Sequence, residues 1–157
     1  VILIGGARAL AERLRGLPVE LPLRLDERGV QNVNPPAGQP ALLVDDYPSI
    51  TGASSPNQPD DGEIHAIVTH APGPLGGSEV RAFFSNHSPG TWGAVQAFTD
   101  PAMAAAIIGG LRKPTGRIPR YYQVVLKVKY REAVPTDVAY VLHRELAPSQ
   151  STAGTAP

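Results

Sequence analysis

Two short glycine-bearing stretches carry residue types that could hold a ligand. The first is Gly5-Gly6, which follows Val1-Ile2-Leu3-Ile4 and precedes Ala7-Arg8-Ala9. The second is Asn86-His87-Ser88-Pro89-Gly90-Thr91-Trp92-Gly93. Glycine lets a ligand approach the backbone, and a helix that starts there offers free N–H groups and the positive end of its dipole. His87 adds a hydrogen bond or a proton, Ser88 or Thr91 can cap a helix, and Trp92 can stack on a flat ring or pack in a core. The candidate ligand-binding residues are therefore Gly5, Gly6, Asn86, His87, Ser88, Gly90 and Thr91. The competing reading of both stretches is a plain strand-to-helix turn with no ligand.

Stronger chemical signatures are missing. The glycines form neither GxGxxG nor the GxxxxGK[ST] phosphate loop, and GxSxG does not occur. No Ser-His-Asp set can be picked out, so no catalytic residue is assigned and whether the chain is an enzyme stays open. Asp61 and Glu63 precede a strand and could approach a pocket, but solvated loop carboxylates are commoner. There is no Cys, which removes disulfides, thiolate metal ligands and thiol nucleophiles. His65 and His70 lie an odd number of residues apart in one strand, so they face opposite sides. No metal site and no cofactor are expected.

These stretches need elements to position them. The apolar run Val1–Ile4 reads as a central parallel strand buried on both faces. Ala7, Leu10, Ala11 and Leu14 form the apolar stripe of a helix over residues 7–15, with Gly16 closing it. Residues 19–25 alternate weakly, but Pro22 makes them an edge or extended segment. Residues 29–62 hold many prolines and glycines and one short strand candidate at 41–44, so they read as an irregular, mobile excursion. Strands follow over 63–70 and 79–86, then helices over 91–98 and 101–108, the latter opened by Asp100-Pro101. Two alternating strands, 121–130 and 136–143, flank Pro135 and form an antiparallel pair. The expected fold is α/β: a three-layer Rossmann-like sandwich, its mixed sheet parallel at the centre with an antiparallel edge pair. Near-complete burial is expected for Ile2, Ile4, Phe83 and Leu126. A single domain over 1–146 and a flexible tail over 147–157 complete the organisation.

Composition narrows the partners. The chain has 157 residues and a formal net charge of zero, so nothing draws it globally to nucleic acid. Its charges are segregated: residues 41–63 carry only acids, and residues 112–131 carry only bases. The interleaved Tyr121, Tyr122, Lys127, Lys129 and Tyr130 could stack on single-stranded nucleic acid, but describe more simply a strand with one solvated face. No apolar run approaches the roughly 20 residues that span a bilayer. No membrane contact, a cytoplasmic location and a covalently attached N-terminal domain are expected.

The segments Ile2-Leu3-Ile4-Gly5-Gly6, Val80-Arg81-Ala82-Phe83-Phe84-Ser85-Asn86-His87, Gly90-Thr91-Trp92-Gly93-Ala94-Val95 and Phe98-Thr99-Asp100-Pro101 resemble a poorly characterised Rossmann-like domain of regulatory and signalling proteins of high-GC bacteria. The resemblance spans roughly residues 1–130 and implies a sensor or effector module. No catalytic residue carries over. The functional expectation is a non-catalytic ligand-binding or regulatory module for a small anionic, nucleotide-like ligand. The alternatives are a small nucleotide- or nucleoside-processing enzyme and a protein-interaction domain. Replacing Gly90 by Val is expected to weaken ligand binding more than folding.

Overall fold

Continuous apolar runs mark the strands that are buried on both faces, and two such strands form the middle of the main sheet. In the computed structural model, which describes residues 1–47 and 61–147, these are β5 (Asp61–Pro72) and β7 (Tyr122–Arg131). The preceding elements are β1 (Ile2–Gly6), α1 (Ala7–Arg15), β2 (Leu23–Asp26), β3 (Gly29–Asn32) and β4 (Leu42–Val44). Between β5 and β7 come β6 (Glu79–Ser85), α2 (Ser88–Thr99) and α3 (Pro101–Leu111), and β8 (Val134–Glu145) ends the fold. The chain is a mixed α/β structure with a five-stranded mixed sheet, β1-β6-β5-β7-β8, and a three-stranded antiparallel sheet, β2-β3-β4.

The parallel pairing is not where the apolar run at the start of the sequence suggested. β1 is an edge strand, parallel to β6 with Ile2 opposite Arg81 and Gly6 opposite Ser85, while β6-β5-β7-β8 are antiparallel throughout. The expected parallel centre is therefore corrected to a parallel edge; the antiparallel edge pair, β7 and β8, lies at the other side. Phe83 and Leu126 are buried as expected, but Ile2 and Ile4 are 69% and 58% exposed. An edge strand has one neighbour, and only its alternate residue Leu3 packs into the cluster beneath α1.

Both faces of the main sheet are covered. On one, Leu10 and Leu14 of α1 join Leu23 and Val30 of the small sheet over Ile67, Val80, Ala82, Phe84 and Val125. On the other, Ala94 and Ala97 of α2 and Ile107 and Leu111 of α3 cover Ile64, Val68, Phe83, Val124 and Leu126. α2 and α3 meet at 92°. Asp100 ends the first and caps the second, its carboxylate accepting from the Met103 N–H at 2.9 Å. No single described helix is long and apolar enough to cross a membrane.

The stretch 29–62 is less irregular than its proline content suggested. β3 and β4 lie within it, and an isolated antiparallel bridge joins Asp46 to Glu63. Asp26 sets the β2–β3 turn by accepting from the Arg28 and Gly29 N–H groups. Gly29 has φ 141°, and an added Cβ would sit 2.1 Å from the Leu43 carbonyl oxygen, so only glycine fits. The mobility expected over 29–62 falls in part on residues 48–60, and the expected tail on 148–157; both lie outside the described residues.

Candidate ligand-binding cleft

β1 and β6 run side by side in the same direction, but their following helices diverge. α1 packs on the face of the sheet that carries Phe84, and α2 on the face that carries Phe83. Divergence of this kind opens a crevice at the carboxyl ends of the strands, where ligands of open α/β sheets bind. The crevice here encloses about 410 Å³. Gly5, Gly6, Asn86, His87, Ser88 and Thr91 line it, as the sequence led one to expect, and Ile4, Trp92 and Val95 add an apolar wall.

Gly90 does not line the cleft. It faces the sheet, where an added Cβ would lie 2.3 Å from Ser85 Oγ and 3.2 Å from Ile64 Cδ1. Its small size serves the close approach of α2 to β5 and β6, and its assignment as a ligand contact is corrected accordingly.

The cleft residues have separate tasks. Gly6 and His87 are the N-caps of α1 and α2, and neither helix receives a side-chain capping bond. The positive ends of two helix dipoles thus meet at the crevice, and neither first turn carries an acidic residue. Thr91 Oγ1 donates to the Gly5 carbonyl at 3.4 Å and ties the two turns together. Asn86 turns away from solvent and donates to the Asp26 carbonyl at 2.6 Å, anchoring the loop to the small sheet. Trp92 is 53% exposed.

His87 stacks on Tyr47, with ring centroids 3.7 Å apart and planes 13° from parallel. Its Nε2 is buried and has no hydrogen-bond partner among the described residues. Burial holds its pKa below the ordinary 6.5, while the Asp45 carboxylate pulls the other way.

Local patterns gave no sign of Asp45, Tyr47 or His65. Asp45 Oδ1 accepts from the His65 backbone N–H and faces His65 Nδ1, both at 2.8 Å. Ser85 Oγ donates to the His65 carbonyl at 2.7 Å. Asp, His and Ser are therefore neighbours, but the hydroxyl is spent on a backbone oxygen rather than on an imidazole nitrogen. That arrangement positions strands and does not activate a nucleophile. The pairing of Asp45 with His65 depends on the bridge between residues 46 and 63, a long-range contact with no periodic signature.

Elsewhere several charges are paired. His70 meets Glu79 at 3.2 Å on the sheet face opposite His65, and Arg120 meets the same carboxylate at 3.1 Å. Lys113 and Arg117 both hold Glu145, and Lys127 holds Glu63. Tyr122 and Tyr130 are buried in the core, so the aromatic and basic residues of β7 do not form a stacking platform. Among the described residues no three His, Asp or Glu side chains come together as a metal site. A larger hollow of about 480 Å³ between α1 and residues 19–25 has mainly aliphatic walls. Comparisons with protein-family models, with curated proteins and with solved structures find no match.

Proposed function

We propose that this chain is a non-catalytic ligand-binding module of Rossmann-like design, with regulatory use in a larger protein, and that its cleft takes a small anionic, nucleotide-like ligand. The observation that carries the reading is the meeting of two uncapped helix N-termini in one crevice beside an exposed indole. The N–H groups suit an anion, and Trp92 with Ile4 and Val95 suits a flat apolar ring. Among the described residues the Asp45–His65–Ser85 group does not activate a nucleophile, which favours binding over turnover.

The chain has one tryptophan, so its fluorescence reports on the cleft directly. Titration with nucleoside mono- and diphosphates and sugar phosphates should perturb it, with calorimetry giving the stoichiometry. Gly6 has φ −71° and open space where a Cβ would go, so Gly6→Val should fold normally and fill the cleft. Binding that survives unchanged in Gly6→Val would refute the site. No binding by any member of the panel would favour the interaction-domain reading, which draws on the exposed Ile2, Ile4 and Trp92 around edge strand β1.

A further inference from the structure

Two buried polar atoms close to the cleft lack a hydrogen-bond partner among the described residues: Nε2 of His87 and Oδ2 of Asp45. The Asp45 side chain is wholly buried, and its other oxygen is already engaged by His65. An unpartnered carboxylate oxygen in a protein interior is costly unless a donor or a positive charge answers it. His87 stacks on Tyr47, two residues beyond Asp45. Its ring forms part of the cleft wall, is held face to face with Tyr47, and lies within the electrostatic reach of Asp45.

We propose that anion binding in the cleft is coupled to uptake of one proton by His87, with the buried Asp45 carboxylate as the countercharge that admits it; this rests on the reading of the cleft as an anion site. A neutral imidazole has one N–H, whereas an imidazolium has two and can serve a carboxylate and an anion together. Without ligand, burial and the α2 N-terminus both disfavour a cation at His87, and Asp45 alone favours it. An anion arriving in the cleft adds the missing attraction and tips the balance. Linkage then works in both directions: the anion raises the proton affinity of His87, and protons raise the affinity for the anion.

Among the described residues the titratable and charged side chains around His87 are few. Asp45 and Tyr47 follow β4, His65 on β5 shares the Asp45 carboxylate, and Tyr130 on β7 lies beyond Tyr47, ring centroids 5.9 Å apart. Ser85 on β6 receives the His87 backbone N–H at 3.4 Å and carries no charge. Asp45 is thus the one charged carboxylate in this group that acts on the ring.

The test follows the imidazole C–H resonances of the full chain by NMR between about pH 5 and 8, with His87→Gln assigning one of the 4 histidines. Sulfate is the probe, because its charge does not change over that range. Without sulfate the His87 midpoint should lie below 6.5, and Asp45→Asn should lower it further. Saturating sulfate should raise it, and between the sulfate-free and sulfate-saturated midpoints sulfate affinity should fall as pH rises, by at most about tenfold per pH unit. That slope should vanish in His87→Gln. If Asp45→Asn does not fold, Tyr47→Leu replaces it: uncovering the ring should move the midpoint back toward 6.5. An unshifted midpoint in Asp45→Asn, or in Tyr47→Leu where that variant stands in for it, overturns the proposal. So does sulfate binding of equal strength at every pH, a result that leaves the anion site itself standing. Absence of binding by sulfate and by every nucleotide at any pH removes the anion site and the coupling together.

Discussion

The side chain of Gln123 on β7 closes both backbone polar groups of Leu23 on β2. Its Oε1 accepts from the Leu23 N–H at 2.8 Å, and its Nε2 donates to the Leu23 carbonyl at 3.1 Å and to Thr69 Oγ1 at 3.1 Å. All three residues are buried, so this one amide joins the small sheet to the large one where water cannot substitute for it. Gln123→Met keeps the shape and strands two backbone groups. A loss on the order of 2–4 kcal/mol is expected from two unsatisfied buried groups, read as a lower urea midpoint. A midpoint equal to wild type would mean that Leu23 finds other partners.

Adjacent glycines near the end of α3 should respond to the same substitution with opposite signs. A Cβ added at Gly109 meets nothing, whereas one at Gly110 would lie 2.8 Å from three atoms of the Tyr140 ring. Gly109→Ala should therefore stabilise by roughly 0.5–1 kcal/mol through helix propensity. Gly110→Ala should destabilise by about 1–3 kcal/mol as Tyr140 is displaced. Thermal melts of the two variants side by side decide the matter, and a shared sign would show that α3 does not pack on β8 as described.

Gly90 reverses the expectation drawn from the sequence. Because its missing side chain makes room for Ser85, Gly90→Val should lower stability by at least about 1–3 kcal/mol. Any loss of binding should follow from loss of folded protein. Urea titration and binding stoichiometry per folded molecule, measured on one preparation, separate the two effects. A variant as stable as wild type that no longer binds would restore the original view.

Acid should weaken the fold in a window set by its histidines. His143 lies below its ordinary 6.5, first through burial and then through the Lys113 ammonium, with Glu145 pulling back. His87 is lowered mainly by burial. The unfolded chain binds these protons more readily than the folded one, so the stability present above pH 6.5 is lost as pH falls from 6.5 toward the folded-state values. The urea midpoint should decline over that interval, and His143→Gln should flatten the decline. Glu145 acts in a separate, lower window, since its partners Lys113 and Arg117 hold it below 4.5. A midpoint that is flat between pH 7 and the carboxylate range would contradict both histidine assignments.

What the sequence disclosed was mainly local. The Asp100-Pro101 cap, the alternation of β7 and the apolar stripe of α1 each depend on neighbours within a turn, and the structure has all of them. The two turns of the cleft were legible because a strand leads directly into a helix at each, through Gly5-Gly6 at the first and Asn86-His87 at the second. Strand order was not. Val1–Ile4 is as apolar as Ile64–Val68, yet one run forms an exposed edge and the other the middle of the sheet, a difference decided by tertiary packing. The β7–β8 turn was placed at Pro135, which instead pairs with Tyr130 inside β8. The turn is Glu132-Ala133, both with positive φ and neither a residue type that announces it. Asp45, Tyr47 and His65 come to lie behind the cleft wall through contacts spanning 20 residues or more, beyond the reach of any local pattern.

β1 finds its partner strand across half the chain, with Ile2 opposite Arg81, while β5–β6 and β7–β8 are joined by short turns. Closing the longer loop costs more chain entropy, and distant pairings reward that cost late. The hairpins are therefore expected to assemble ahead of the docking of β1. Until that docking, a chain that has β5 to β8 and both helices α2 and α3 in place still lacks one wall of its crevice. On the proposed reading of the cleft, recognition is then a property of the finished molecule alone. In refolding, ligand-induced change at Trp92 should trail the recovery of far-ultraviolet circular dichroism, and a half-folded chain, however native in its secondary structure, should be blind to what the folded one binds.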